Sequence, residues 1–193
     1  MKIKGGVLAA RVAFVKEHFG ADAWVRVLDA LPTEDARALR GMLLVSGWFA
    51  FDMGKRLDET IVRVLGHGAS DVFERIGAAS ADRNLTGAHS GLLTPGDPEA
   101  FLRKTDAIYG FYYDTGRRTY ASTGPGAGVI TTYDAETFSA ADCLTVIGWY
   151  RRALEMCGAS DVSLAEDTCR ALGGQYCRYR VRWRPPTPSA PHR

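Results

Sequence analysis

The apolar positions of this chain change their period partway along, and the change separates two kinds of structure. In residues 7–19, Leu8, Val12, Val15 and Phe19 recur at helical spacing with Lys16 and Glu17 opposite, which predicts an amphipathic helix. Gly20 ends it, and Asp22 is placed to cap a second helix whose inward stripe is Trp24, Val27, Leu28 and Leu31. Pro32 breaks that helix and Thr33 opens a short third one. Residues 41–51 are an almost unbroken apolar run with Trp48, Phe49 and Phe51; the run is too short to span a membrane and is predicted to be a buried segment. Leu57, Ile61, Val64 and Leu65 share one side of the next helix, which Gly66 and Gly68 end. Val72, Phe73 and Ile76 mark another, opened by Ser70 or Asp71. Residues 84–96 are polar and glycine-rich, a loop or broken helix that contains His89. Asp97, Pro98 and Glu99 then form a strong helix start: a capping acid, a proline at the first position and a carboxylate near the positive end. The helix that follows holds Phe101, Leu102, Ile108, Tyr109, Phe111, Tyr112 and Tyr113, and its aromatic density stands out against the rest of the chain.

Beyond this point the period falls to two. Residues 116–123 and 128–133 alternate as strands and are joined by Gly124-Pro-Gly126, which predicts a hairpin. Ser139 begins a long helix with Leu144, Ile147, Trp149 and Leu154. After Gly158, a strand-patterned stretch over 161–170 turns at Gly173-Gly174 and returns through Cys177 to Tyr179 and Trp183. This order predicts an α+β fold: N-terminal helices followed by a small antiparallel sheet, with a long helix inserted between two hairpins. The expected domain is residues 1–184, and the proline-rich residues 185–193, which carry no core pattern, are expected to form a disordered tail.

Composition narrows the function. A net charge of +2 with scattered basic residues gives no nucleic-acid signal. The densest basic group, residues 178–184, alternates with Tyr179, Val181 and Trp183 and reads as a strand with one solvated face. No apolar run approaches the length of a membrane span, and the basic start is followed by Arg11, Lys16, Glu17 and His18 rather than by a secretory signal. Four cysteines in 193 residues are too sparse for a disulfide scaffold, so a reducing cytoplasm is the expected location.

Two groups of residues carry candidate chemistry. In a hairpin turning at Gly173-Gly174, Cys169 and Cys177 fall nearly opposite each other, about 5 Å apart at Cβ, close enough to share one ion. Cys143, near the start of the preceding helix, and Glu166 can complete the four donors that zinc takes. Glu166 and Cys169 have opposite parity in a regular strand, so a bulge or strand end must intervene. Buried core cysteines and a cross-strand disulfide remain alternatives. Cys157 lies about 21 Å along the helix from Cys143 and reads as a small buried hydrophobe. The second group is aromatic: Tyr109, Tyr112 and Tyr113, with Trp48, Phe49 and Trp149, can line an apolar ligand pocket, the alternative being an aromatic-rich core. Nucleophile-elbow, zinc-protease, P-loop and dinucleotide motifs are absent, and His18, His67, His89 and His192 have no partners at ligand spacing, so catalysis is not expected.

The stretch from Glu166 through Cys169, Gly173-Gly174 and Cys177 to Trp183 resembles the C-terminal hallmark of the 4-vinyl reductase domain. The whole chain except its tail resembles a large paralogous family of myxobacterial proteins of unknown function, through Ser46-Gly-Trp48, Asn84-Leu-Thr-Gly87, Pro95-Gly-Asp-Pro98, Tyr112-Tyr-Asp-Thr-Gly-Arg-Arg-Thr-Tyr120 and Gly148-Trp-Tyr-Arg-Arg152. These resemblances imply a fold shared with haem-type nitric-oxide-binding domains and with core subunits of the TRAPP vesicle-tethering complex. They also imply a structural zinc, since Cys143-x22-Glu166-x2-Cys169-x7-Cys177 is similar to the ligand set of bacterial sensors of phenolic compounds. The Tyr-x-Ser-x-Arg signature that holds haem propionates is missing. The expected function is a small-molecule-binding sensory or regulatory module with an aromatic pocket for a small apolar or aromatic ligand and a zinc clip. It would act as a homodimer or through a partner signalling protein, with no nucleic-acid partner. The alternative is a TRAPP-like interaction and dimerisation scaffold with no ligand.

Overall fold

The computed structural model describes residues 1–87, 89–136 and 138–186. The expected tail therefore lies mostly outside the described residues. The helical half runs α1 (Gly5–Phe19), α2 (Ala21–Asp29), α3 (Thr33–Arg40), α4 (Phe51–Leu65) and α5 (Asp71–Thr86). Gly20 ends α1 as its spacing predicts, at φ 88°, a conformation that costs glycine little. Leu8, Phe14 and Val15 of α1, Trp24 and Val27 of α2, and Leu57 and Ile61 of α4 meet in one core. The aromatic helix is two helices, α6 (Pro98–Leu102) and α7 (Thr105–Tyr112). Asp97 caps α6 by accepting from the Ala100 amide at 2.9 Å.

The run over residues 41–51 departs from expectation. Only Phe51 is buried there; Met42 is 95% exposed and Leu44 61%. The cause is the glycine pair that opens α1. The Gly5 and Gly6 amides, unpaired within their own helix, donate to the carbonyls of Gly47 and Val45, each at 2.9 Å. A Cβ on Gly5 would collide with the Leu44 carbonyl oxygen. The backbone of the run lies against the helix start, and Met42, Leu44, Val45 and Trp48 point outward while Leu43 and Phe49 are half-buried. The same contact builds a small sheet not foreseen in the sequence, in which β1 (Lys2–Lys4) pairs antiparallel with β2 (Trp48–Ala50).

The second half is the expected α+β arrangement. Strands β3 (Arg117–Gly124), β4 (Ala127–Tyr133), β5 (Ser160–Thr168) and β6 (Cys177–Arg184) form an antiparallel sheet in the order β3-β4-β6-β5, with α8 (Ala140–Met156) between the two hairpins. Strand β6 buries Cys177, Tyr179, Val181 and Trp183 while Arg180, Arg182 and Arg184 face solvent, the alternation its sequence shows. Helix α8 packs on this sheet and α5 packs on α8. The two helices approach until backbone meets backbone. A Cβ on Gly77 would strike the Thr145 carbonyl, and one on Gly148 would strike that of Glu74. Ion pairs clasp the crossing, Arg151 to Glu74 at 2.5 Å and Arg152 to Asp82 at 2.8 Å. Among the described residues no helix is long and apolar enough to cross a membrane.

The crossing gives a direct test. Gly77→Ala and Gly148→Ala are each expected to destabilise by at least about 1–3 kcal/mol in chemical denaturation, because each forces two backbones apart. Gly110→Ala, on an exposed face of α7 with nothing within 4 Å of the added Cβ, is expected to be neutral or to stabilise by up to about 1 kcal/mol.

Candidate metal centre and aromatic cavity

Ser139 caps α8 by accepting from the Ala141 and Asp142 amides, and this fixes the first turn, which carries Cys143. The parity conflict in β5 is resolved by an irregularity between Glu166 and Thr168, which turns Glu166 and Cys169 toward the same side. A single-turn 3₁₀ helix at Arg170–Leu172 and a left-handed Gly173 return the chain to Cys177 at the start of β6. The result is a cluster. The ligand atoms of Cys143, Glu166, Cys169 and Cys177 all lie within 4.8 Å of one another. Cys143 Sγ stands 3.6 Å from Cys177 Sγ and 3.8 Å from Cys169 Sγ. Donors at zinc bond lengths in a tetrahedron stand about 3.3–3.8 Å apart, so the spacing suits one ion. All four cysteines are free and buried, so the cross-strand disulfide is not formed. One carboxylate oxygen of Glu166 is buried with no protein partner. The hydrogen bond from Cys143 pulls the Cys177 thiol down to about 7, while burial raises that of Cys169. Cys157 is buried and outside the cluster, as its helical distance requires.

One layer away, α7 faces α8 across a half-open cavity of about 40 Å³. Tyr109, Tyr112, Tyr113 and Trp149 line it. The other two aromatic candidates do not. Trp48 is 41% exposed on β2, with the Lys4 ammonium 3.8 Å above its ring, and Phe49 packs against the loop at Gly5 and Gly47. Trp48 faces outward, whereas Phe49 is half-buried against another part of the core. The further lining residues include Arg11, Arg118 and Tyr150, which were not among the pocket candidates. Arg11 had a signal, since it interrupts the apolar stripe of Leu8 and Val15 at helical spacing. It is buried and satisfied, donating from Nε and Nη2 to Asp58 at 3.1 and 3.3 Å and from Nη1 to Ser80 Oγ at 2.9 Å. Arg118 donates from Nε to Thr132 Oγ1 at 2.8 Å and lies 4.9 Å from the ring centre of Tyr109, 5.7 Å from Tyr150 and 5.9 Å from Tyr113. Tyr113 donates to Asp142 at 3.2 Å and Tyr109 to the Thr115 carbonyl at 2.9 Å.

Outside this layer a broad apolar cleft of about 700 Å³ opens against the exposed run of Met42, Leu44 and Val45, with Phe111 and His89 on its wall. Tyr112 and Asn84 border both spaces. The Tyr112 hydroxyl is hydrogen-bonded to His89 Nδ1 at 2.7 Å.

No protein-family model matches this chain, and no curated protein matches it in sequence. Its architecture is that of the H-NOX domains. An H-NOX protein from S. oneidensis in the Fe(II) ligation state superposes with a TM-score of 0.73 at 12% identity, covering 96% of this chain and 98% of that one. One from K. algicida in the unliganded Fe(II) state gives 0.69 at 11%, covering 94% and 96%. An oxygen-binding H-NOX domain related to soluble guanylate cyclases, in its oxygen complex, gives 0.71 at 11%, covering 98% and 100%. At these identities the likeness defines the fold alone. Haem belongs to the H-NOX family, and the inner cavity does not suit it. The space of about 40 Å³ is far below a tetrapyrrole, and no histidine lines it. His89 stands on the outer cleft with Nδ1 engaged.

Burial, outweighing the neighbouring Arg118, raises the Tyr109 phenol from 10.0 to about 12. A folded value above the unfolded one means that the contribution to stability is complete below about pH 10 and is lost as pH rises toward 12. Tyrosinate absorbance is therefore expected to show late-titrating tyrosines and a steep alkaline unfolding limb. Tyr109→Phe is expected to flatten that limb, at a cost of about 0.5–1.5 kcal/mol at neutral pH for the lost hydrogen bond.

Proposed function

We propose that this chain is a small-molecule-binding sensory or regulatory module, with the ligand held at the aromatic layer and the cysteine cluster serving as a structural zinc clip. The observation that carries the reading is that Tyr112 and Asn84 border both a small aromatic cavity with a buried cation on its wall and a cleft of about 700 Å³. Small-molecule sites have this makeup and volume, apolar with a few placed polar groups. The similarity of Cys143, Glu166, Cys169 and Cys177 to the zinc ligand set of bacterial sensors of phenolic compounds supports the clip, as do donor distances suited to one ion. Bound there, zinc would tie the start of α8 to the β5–β6 hairpin with four protein donors and leave no open position for catalysis. No step runs through haem. In this reading the module reports through a second copy or a signalling partner rather than by catalysis. Four free thiols suit a reducing cytoplasm. A second reading, a TRAPP-like interaction or dimerisation scaffold, is favoured by the exposed lip of Met42, Leu44 and Val45.

Native mass spectrometry of the chain purified from cells is expected to show a retained small molecule. Protein of bare mass that sediments as a dimer would favour the scaffold instead. Elemental analysis is expected to give one zinc per chain, and chelation to lower the melting temperature. Cys169→Ser or Cys177→Ser is expected to cost several kcal/mol through lost metal, against about 1 kcal/mol for Cys157→Ser. Equal losses in the three variants, or stability unmoved by chelator, would remove the clip.

A further inference from the structure

We infer that the aromatic cavity binds a small planar monoanion through the guanidinium of Arg118: a carboxylate of formate or acetate size, or the similarly shaped nitrite or nitrate. The inference deepens the proposed function and rests on its reading of this cavity as the ligand site.

The two buried arginines of the cavity differ in one respect. Arg11 has three of its N–H groups bonded to Asp58 and Ser80. Arg118 is 6% exposed, and among the described residues only its Nε has a hydrogen-bond partner, Thr132. Among the described residues no carboxylate oxygen lies within 4.0 Å of its nitrogens. Asp142, the acid on the α8 side, accepts from Tyr113 instead. A guanidinium does not shed its proton inside a protein; the Asp142 carboxylate borders a space shared with Arg118 and offers it an opposite charge, but no hydrogen bond joins the two among the described residues, so the Nη side of the fork keeps its N–H groups unused. The faces of Tyr109, Tyr113 and Tyr150 attract the cation but offer the N–H groups no acceptor. The free side of the guanidinium is a planar fork, and its best partner is a planar two-oxygen anion bound in two parallel hydrogen bonds.

Two further observations fix the class. The Tyr150 hydroxyl is buried with no partner, on a residue 1% exposed that lines the same cavity. It supplies a second donor. The volume of about 40 Å³ admits an anion of three or four heavy atoms. A cavity that takes benzene is about 150 Å³, so an aromatic acid is too large without displacement of the walls. Entry is past Asn84 and Tyr112 from the outer cleft.

The test uses the full chain at constant ionic strength, with thermal unfolding and titration calorimetry in sodium formate, acetate, nitrite and nitrate, and with chloride, sulfate and benzoate as controls. A saturable, one-site response to at least one of the four planar anions, stronger than to any control, is expected. Which one responds separates the carboxylate source from the nitrogen oxyanions. Arg118→Lys keeps the charge and loses the fork, and is expected to weaken binding at least tenfold. Tyr150→Phe is expected to weaken it several-fold, and it carries the test if the lysine variant does not fold. No saturable response in the wild-type chain, a chloride response equal to the best planar anion, or binding unchanged in the variants would overturn the inference. Anion binding by a chain that retains no co-purified molecule would support the anion site and overturn the retained-ligand reading. A retained larger molecule with no anion response would do the reverse.

Discussion

Where α5 crosses α8, Gly77 lies against the carbonyl of Thr145 and Gly148 against that of Glu74, with no side chain between the two backbones. Helices normally pack 8–10 Å apart because side chains fill the seam; glycine at both contacts removes that spacer. The consequences extend along α8. Its first turn delivers Cys143 to the cysteine cluster, and Thr145, Trp149 and Tyr150 face the cavity about 3–10 Å further along the axis. A helix pushed outward by a methyl group would move the cluster and the cavity together. The ion pairs of Arg151 with Glu74 and Arg152 with Asp82 hold the register of the crossing but do not create it. Partly exposed pairs of this kind contribute at most about 1 kcal/mol each.

The second constraint is buried charge. Arg11 and Asp58 form a pair sealed between α1 and α4, with Ser80 of α5 as a third partner, so three helices share one polar knot. Such a pair adds little net stability against a hydrophobic replacement but fixes which helices meet. Arg118 has no comparable knot. Its contacts are tyrosine faces and one threonine hydroxyl, with the Asp142 carboxylate nearby but not hydrogen-bonded to it, so the guanidinium is oriented with part of its fork unused.

Much of the fold was legible in the sequence because periodicity reports burial directly. The alternation of Cys177, Tyr179, Val181 and Trp183 marked the buried face of β6, and Asp97-Pro98 marked the start of α6. The cluster was legible as a set of residues: spacing brought Cys143, Cys169 and Cys177 together, and the parity conflict at Glu166 called for the irregularity that the strand contains between Glu166 and Thr168. The exposed run of residues 41–51 misled for a related reason. Hydrophobicity predicts burial only when side chains are free to turn inward, and here backbone bonds from Gly5 and Gly6 set their direction. Trp48 and Phe49 dropped out of the aromatic cavity with that run. Arg118 was hidden by its neighbour: in the pair Arg117-Arg118 one residue is exposed and the other buried, and strand parity, not composition, tells them apart.

Cavity and cluster are less separate than their distance along the chain suggests. Arg118 borders the aromatic cavity on one side and, on the other, a narrow space shared with Cys143, Cys177 and Tyr179. Zinc with three thiolates and one carboxylate carries a net charge of −2, whereas the same cysteines as neutral thiols contribute none. Arg118 is the buried cation between that charge and the cavity, and at interior dielectric its field is screened little on either side. A charge placed in one space therefore changes the free energy of a charge placed in the other. The direction follows from sign: a more negative cluster competes with an anion for the same guanidinium. With zinc and an anion bound as proposed, the charge of the cluster would weaken the cavity's hold on a negative ligand, since α8 holds the two at fixed separation.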